Sequence, residues 1–112
     1  MLAKKYRLAK EKDFKKIIAS GRSFFSPSFR LRYLATNLDF SRLAVIVSAK
    51  ISKKATVRNR LKRQMREIIR LNLKQIKPGY DILVYFKNQA LGKDYHELEQ
   101  EFISALKKLR LV

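Results

Sequence analysis

The chain has 112 residues, 46% of them hydrophobic, and its 27 lysines and arginines against 9 aspartates and glutamates give a net charge of +18. That length suits a single domain over residues 1–112 and is too short for two cores, while the charge is costly in self-repulsion unless a polyanion neutralises it. No cysteine and one histidine exclude disulfides, thiol nucleophiles and cysteine- or histidine-pair metal sites, and with no membrane-length apolar run and no apolar signal core from Met1 to Arg7 the chain reads as soluble and cytoplasmic.

A first helix is predicted from about Lys10 to Ser20. Phe14, Ile17 and Ile18 share one stripe, Lys12, Lys15 and Lys16 take the other side, and Gly21 stops it. Ser23 to Ser26 then reads as a short strand, with Phe24 and Phe25 as packing or strand residues. Phe29 to Tyr33 alternates apolar and basic residues with period two, a half-buried strand whose polar face carries Arg30 and Arg32. Asn37 to Ser41 reads as a turn, and Leu43 to Ser48 as a more buried, β-branched strand. Thr56 to about Leu73 is the strongest helix signal. After the Pro78-Gly79 turn, Tyr80 to Phe86 is a nearly continuous apolar strand. A last helix begins at Asp94, with Glu97 at capping-box spacing. Tyr95, Leu98, Phe102, Ala105, Leu109 and Val112 form its apolar stripe. The order α-β-β-β-α-β-α predicts an α+β fold, a small α/β sandwich with one four-stranded sheet and helices packed on it.

Charge concentrates towards one end. Residues 1–70 hold 20 basic and 4 acidic side chains, and residues 71–112 hold 7 and 5. On a helix turning roughly 100° per residue, Val57, Leu61, Met65, Ile68 and Leu71 face the core. Arg58, Asn59, Lys62, Arg63, Arg66 and Arg70 form a separate ridge of cations with one amide and no acid. Arg60 and Glu67 lie on the outer edge, where they are expected to pair. Stacked like charges repel. Phosphates reverse that sign, and arginine's planar fork binds them bidentately. Solvated helix faces normally mix signs, so the ridge is read as a polyanion site. A metal-dependent nuclease needs clustered carboxylates. Four of the nine acids sit in the last helix, where capping and the dipole account for them, and Glu11 and Asp13 open the first helix as dipole partners. His96 reads as a surface residue. No catalytic residue and no metal ligand is therefore assigned. A basic amphipathic helix on anionic lipid ranks last, because the apolar stripe is needed to cover the sheet.

The run Lys54-Ala55-Thr56-Val57-Arg58-Asn59-Arg60, then Lys62-Arg63, then Arg66-Glu67, resembles the hallmark of the protein subunit of bacterial ribonuclease P. The resemblance reaches upstream to Arg7-Leu8, Asp13-Phe14 and Gly21, and downstream to Gly79-Tyr80-Asp81, so it spans essentially the whole chain. It implies a non-catalytic cofactor of a large RNA that removes the 5′ leader of precursor tRNA using Mg2+, which acts through the RNA. The implied partners are that ribonuclease P RNA and the precursor tRNA leader, with no membrane and no DNA. It also implies a left-handed strand–helix–strand crossover through the arginine-rich helix, against the usual right-handed rule. Carried over by position, Arg58, Asn59, Arg60, Lys62, Arg63 and Arg66 fall on the RNA-contacting motif, and Lys53, Lys54 and Arg70 extend it. Phe14 falls on the aromatic of a leader cleft between the first helix and the sheet. Ile18 and Arg32 stand where the family often has further rings, Arg30 lies beside them, and Arg32 is expected across the cleft from Phe14. Lys87 and Asn88 replace an arginine and a proline often found there. The alternative is a general structured-RNA binder, such as a ribosomal or assembly protein.

Overall fold

The computed structural model describes residues 3–112; Met1 and Leu2, part of the opening read for a signal, lie outside them. Helix α1 spans Glu11–Ser20, strands β1 Arg22–Phe25, β2 Phe29–Ala35 and β3 Arg42–Ile46 follow, then helix α2 Ala55–Asn72, strand β4 Tyr80–Phe86 and helix α3 Tyr95–Lys108. The predicted order holds, and most boundaries move by only one or two residues. The sheet runs β1-β2-β4-β3, with β4 antiparallel to β2 and parallel to β3. The β3–α2–β4 connection is thus a crossover, and the strand formed last sits between two formed earlier.

Alternation along the strands sorts the two faces. Phe29, Leu31, Leu43, Val45, Ile82, Val84 and Phe86 point to one side, where α2 and α3 cover them with Leu61, Met65, Ile68, Ile69, Leu98, Phe102, Ala105 and Leu106. This is the main core. On the other side α1 lays Ile17 against Leu83 and Leu8, with Phe14, Leu34, Ala44, Ile46 and Tyr85 around them. One helix does not cover four strands, so part of this face stays open, and Phe25 on β1 is 66% exposed.

Two predicted core positions are corrected. Leu71 is exposed, and Ile69 and Asn72 are buried instead. The α2 stripe drifts as 3.6 residues per turn accumulates, so it ends on Ile68, Ile69 and Asn72. Asn72 donates to the Ile68 carbonyl at 2.8 Å and to Glu99 at 3.2 Å. In α3 the stripe closes on Leu106, and Val112 lies beyond the helix, exposed. Arg110 adopts φ 57°, and the Leu111 amide donates to the Leu106 carbonyl at 2.8 Å. That left-handed stop buries Leu111, in the manner of a Schellman ending. The Asp94–Glu97 capping box forms as predicted.

Candidate nucleic-acid interface

Helix α2 opens without an acid in its first turn and without a side-chain cap. Its positive dipole end therefore adds to Lys53 and Lys54, both exposed, and to Arg58. Arg58 donates to the Ser52 carbonyl at 2.8 Å, which ties the entry loop to the helix. Asn59, Lys62, Arg63 and Arg66 line a shallow depression along the helix, and Glu67 lies at its edge. Arg60 and Arg63 are exposed, and Lys62 and Arg66 half-buried.

The ridge is shorter than its sequence implied. Glu67 pairs with Arg70, not Arg60: the Arg70 guanidinium donates to both carboxylate oxygens, at 3.0 and 2.5 Å. Arg60 stands two turns from Glu67, too far along the axis, whereas three residues bring Arg70 onto the same edge. Hydrogen bonding to Arg70 holds the Glu67 carboxyl below its usual range and raises Arg70 in turn. One acid thus closes the ridge at its C-terminal end.

Phe14 is half-buried and lines a groove of about 140 Å³ with Arg7, Leu8, the β3 residues Leu43 to Ile46, and Arg66 and Ile69 of α2. The groove follows the outer edge of β3. It joins the α1 side of the sheet to the basic helix on the other side. Sequence reasoning did not find Arg7 or Arg66 beside Phe14, because three elements meet there only once the chain is folded. Ile18 is 57% exposed and lies outside this groove.

Arg32 is not across from Phe14. Its guanidinium reaches the end of α1 and donates to the carbonyls of Ile17 at 3.2 Å, Ile18 at 2.5 Å and Gly21 at 3.1 Å, and to Ser23 Oγ at 2.8 Å. α1 has no basic residue in its own last turn, so Arg32 supplies the cation that its free carbonyls and dipole require. Gly21 stops α1 for a related reason. Its φ is −75°, open to any residue, but a Cβ there would fall against the Ile17 carbonyl. Arg30 lies with its guanidinium 4.5 Å from the centre of the Tyr85 ring.

Asp13 is more than a dipole partner. It is buried, and Arg42 bridges it at 3.3 Å to Asp81, which takes a two-pronged contact at 2.9 and 2.7 Å. The Asp81 hydrogen bond is the main reason the Arg42 pKa rises, against the opposing effect of burial. This cluster locks α1 to the sheet and leaves neither carboxylate available for chemistry. His96 is exposed, and among the described residues no three His, Cys, Asp or Glu side chains gather to hold a metal.

Fold and surface together define a class: a small α+β protein that presents a basic helix and an adjoining aromatic groove to a polyanion. A family model described as Ribonuclease P matches residues 2–110. The ribonuclease P protein component of Synechocystis sp. is 41% identical over 109 residues, covering 93% of this chain and 88% of that one, and that of Clostridium botulinum is 37% identical over 106, covering 94% and 95%. The solved RNase P protein of Thermotoga maritima superposes with a TM-score of 0.84 at 33% identity over 91% of this chain and 96% of that one. A Staphylococcus aureus RNase P protein mutant with defective mRNA degradation activity superposes at 0.90 and 27% identity, over 97% and 92%. The chain belongs to the ribonuclease P protein family, and it serves as the protein subunit of that endoribonuclease, binding RNA in the processing of tRNA leaders with ribonuclease P RNA as its partner.

Proposed function

We propose that the α2 ridge grips ribonuclease P RNA while the Phe14 groove receives the single-stranded 5′ leader of precursor tRNA. The observation that supports this most is the shared groove: Arg66 of the ridge and Phe14 of α1 line one depression. A strand leaving the RNA-bound helix enters it without crossing an acidic surface. Lys53, Lys54, Arg58, Asn59, Arg60, Lys62 and Arg63 supply the phosphate contacts, and Phe14 supplies a ring for a base. In this reading Arg32 serves the leader only by fixing α1, and Arg70, held by Glu67, contributes little free charge.

Magnesium ions act through the RNA subunit. The protein's part is to neutralise phosphates that otherwise repel as the RNA and the leader come together. RNA rather than DNA is the partner, and the cytoplasm the place of action; no helix among the described residues is long and apolar enough to cross a membrane.

The test is reconstitution with a ribonuclease P RNA. The protein should lower the magnesium needed for cleavage and cleave nothing alone. Phe14→Ala should weaken precursor tRNA by about 1–3 kcal/mol and leave mature tRNA, which has no leader, unchanged. Equal loss on both substrates, with a lowered Tm, would make Phe14 a packing residue.

A further inference from the structure

One acid stands apart from the rest. Every other aspartate and glutamate is engaged by a cation, a hydroxyl, an amide or a helix cap. Asp39, in the turn between β2 and β3, has neither a hydrogen bond nor an ion pair among the described residues, in a chain whose net charge is +18. Its two carboxylate oxygens are open acceptors.

Asp39 lines a cavity of about 430 Å³. Tyr6, Phe40, Leu73 and Ile76 give that cavity ring and aliphatic walls, and the exposed Arg70 and Lys74 give it a basic rim. It lies on the α2 side of the sheet, where Tyr6, Leu73 and Ile76 pack on the main core. It shares no residue with the Phe14 groove or with the depression along the ridge.

The cavity is built before anything binds. Tyr6, in the single helical turn Lys4–Tyr6, meets Phe40 edge to face with ring centres 6.0 Å apart. Lys5 Nζ lies over both rings, 4.6 Å from the centre of Phe40 and 5.4 Å from that of Tyr6. Ser41 is buried; its hydroxyl donates to the Lys77 carbonyl at 2.6 Å and accepts from the Tyr80 amide at 3.1 Å, tying the turn to the start of β4. A preformed site of this size suits a small ligand and lowers the ordering cost of binding it.

Rings and aliphatic carbon accept a flat base, and one carboxylate takes two parallel N–H donors. Guanine carries N1–H and the N2 amino group side by side on its Watson–Crick edge. Adenine, cytosine and uracil each set an acceptor beside the donor there, which a carboxylate repels. Unstacked RNA bases are read in this way, by stacking on rings and by hydrogen bonds to that edge. An arginine side chain of a protein partner also offers paired N–H donors, but Lys5, Arg70 and Lys74 around the mouth repel it. A nucleotide brings the anion that these cations need.

We propose that this cavity holds one unpaired guanosine of an RNA strand. The base lies against Tyr6 and Phe40 with its Watson–Crick edge on Asp39, and the phosphate lies between Lys5 and Lys74. Ribonuclease P RNA and tRNA can each supply such a nucleotide. The site is independent of the reading of the Phe14 groove as the leader site.

The first experiment titrates the full-length protein with 5′-GMP and 5′-AMP, followed by NMR. GMP should shift the amides of Asp39, Phe40 and Lys74 saturably and bind at least about fivefold more tightly than AMP. Asp39→Asn should bring GMP down to the AMP level with Tm unchanged, because the carboxylate supports nothing in the fold. Bulk charge predicts the opposite sign, since removing an acid from so basic a chain strengthens its attraction for any nucleotide. In the reconstituted holoenzyme, Asp39→Asn should weaken assembly with ribonuclease P RNA if that RNA supplies the guanosine, or weaken precursor and mature tRNA alike if tRNA supplies it. GMP binding no tighter than AMP, GMP binding retained or strengthened in Asp39→Asn, a preference for argininamide over GMP, or unaltered affinity for both RNAs in the variant would each overturn the proposal.

Discussion

Arg32 shows how a residue's neighbours decide its work. Its alternation with Arg30 puts it on a basic strand face, and a basic face in this family invites assignment to RNA. The last turn of α1 lies directly above it, however, and free carbonyls capture a guanidinium fork. Arg32→Met should therefore cost about 1–2 kcal/mol of stability in urea unfolding and leave the salt dependence of RNA binding intact. A loss of RNA affinity with unchanged stability would return Arg32 to the interface. Gly21 has the same lesson on a smaller scale: the stop signal in the sequence is right, but close approach to the Ile17 carbonyl, not a left-handed backbone, demands the glycine.

Helix α2 was readable almost completely from its sequence, because its two faces differ so sharply in chemistry. What the periodicity did not reveal was the partner of Glu67, a local choice between two arginines, or the third element that brings Phe14 to Arg66. Lys62, Arg63 and Arg66 face away from Leu61, Met65 and Ile68, so changing all three to alanine should spare the core. Each lost phosphate contact should lower the log–log salt slope of RNA binding by about 0.7–0.9, read from titrations at several salt concentrations. An unchanged slope would make the ridge a solvated face. Helix α3 acts on the β1–β2 turn through Glu101. Burial alone would push that carboxyl up, but the hydrogen bonds from Ser26 and Ser28, with Lys93 at 3.6 Å, outweigh it and leave the group below its usual range. Its stabilisation is complete above the unfolded-chain value of about 4.3, declines as pH falls below that, and is gone once the depressed native value is passed. Glu101→Gln should remove this part of the acid decline of Tm; an identical decline in variant and wild type would mean the turn is held by other contacts.

Taken as a whole, the molecule divides its charge by duty. Asp13, Asp81, Glu67 and Glu101 are each engaged by named cations or hydroxyls, while the cations from Lys53 to Arg66 face outward around the start and middle of α2. Element order followed from the strand and helix periods, as did the two faces of Phe29 to Tyr33; the faces of β3 and β4 did not, because their runs are apolar on both sides. The strand order did not, since nothing in the apolar run of Tyr80 to Phe86 says that it lies between β2 and β3; only its burial on both faces hints at a central place.

That central place governs how the chain can be assembled. β2 and β3 do not touch as neighbours; each meets β4, which follows the whole of α2 in sequence. During synthesis, which delivers N-terminal segments first, neither strand has its main hydrogen-bonding partner until Phe86 has emerged, and the apolar stripe of α2 has no finished sheet to rest on. The basic helix is thus available to anions before the body that carries it is complete. A fragment ending at Lys77 should show little cooperative unfolding by circular dichroism, and adding a peptide of residues 78–112 should restore it. A fragment that melts cooperatively alone would mean that α1, β1, β2, β3 and α2 find another core without the strand that joins them.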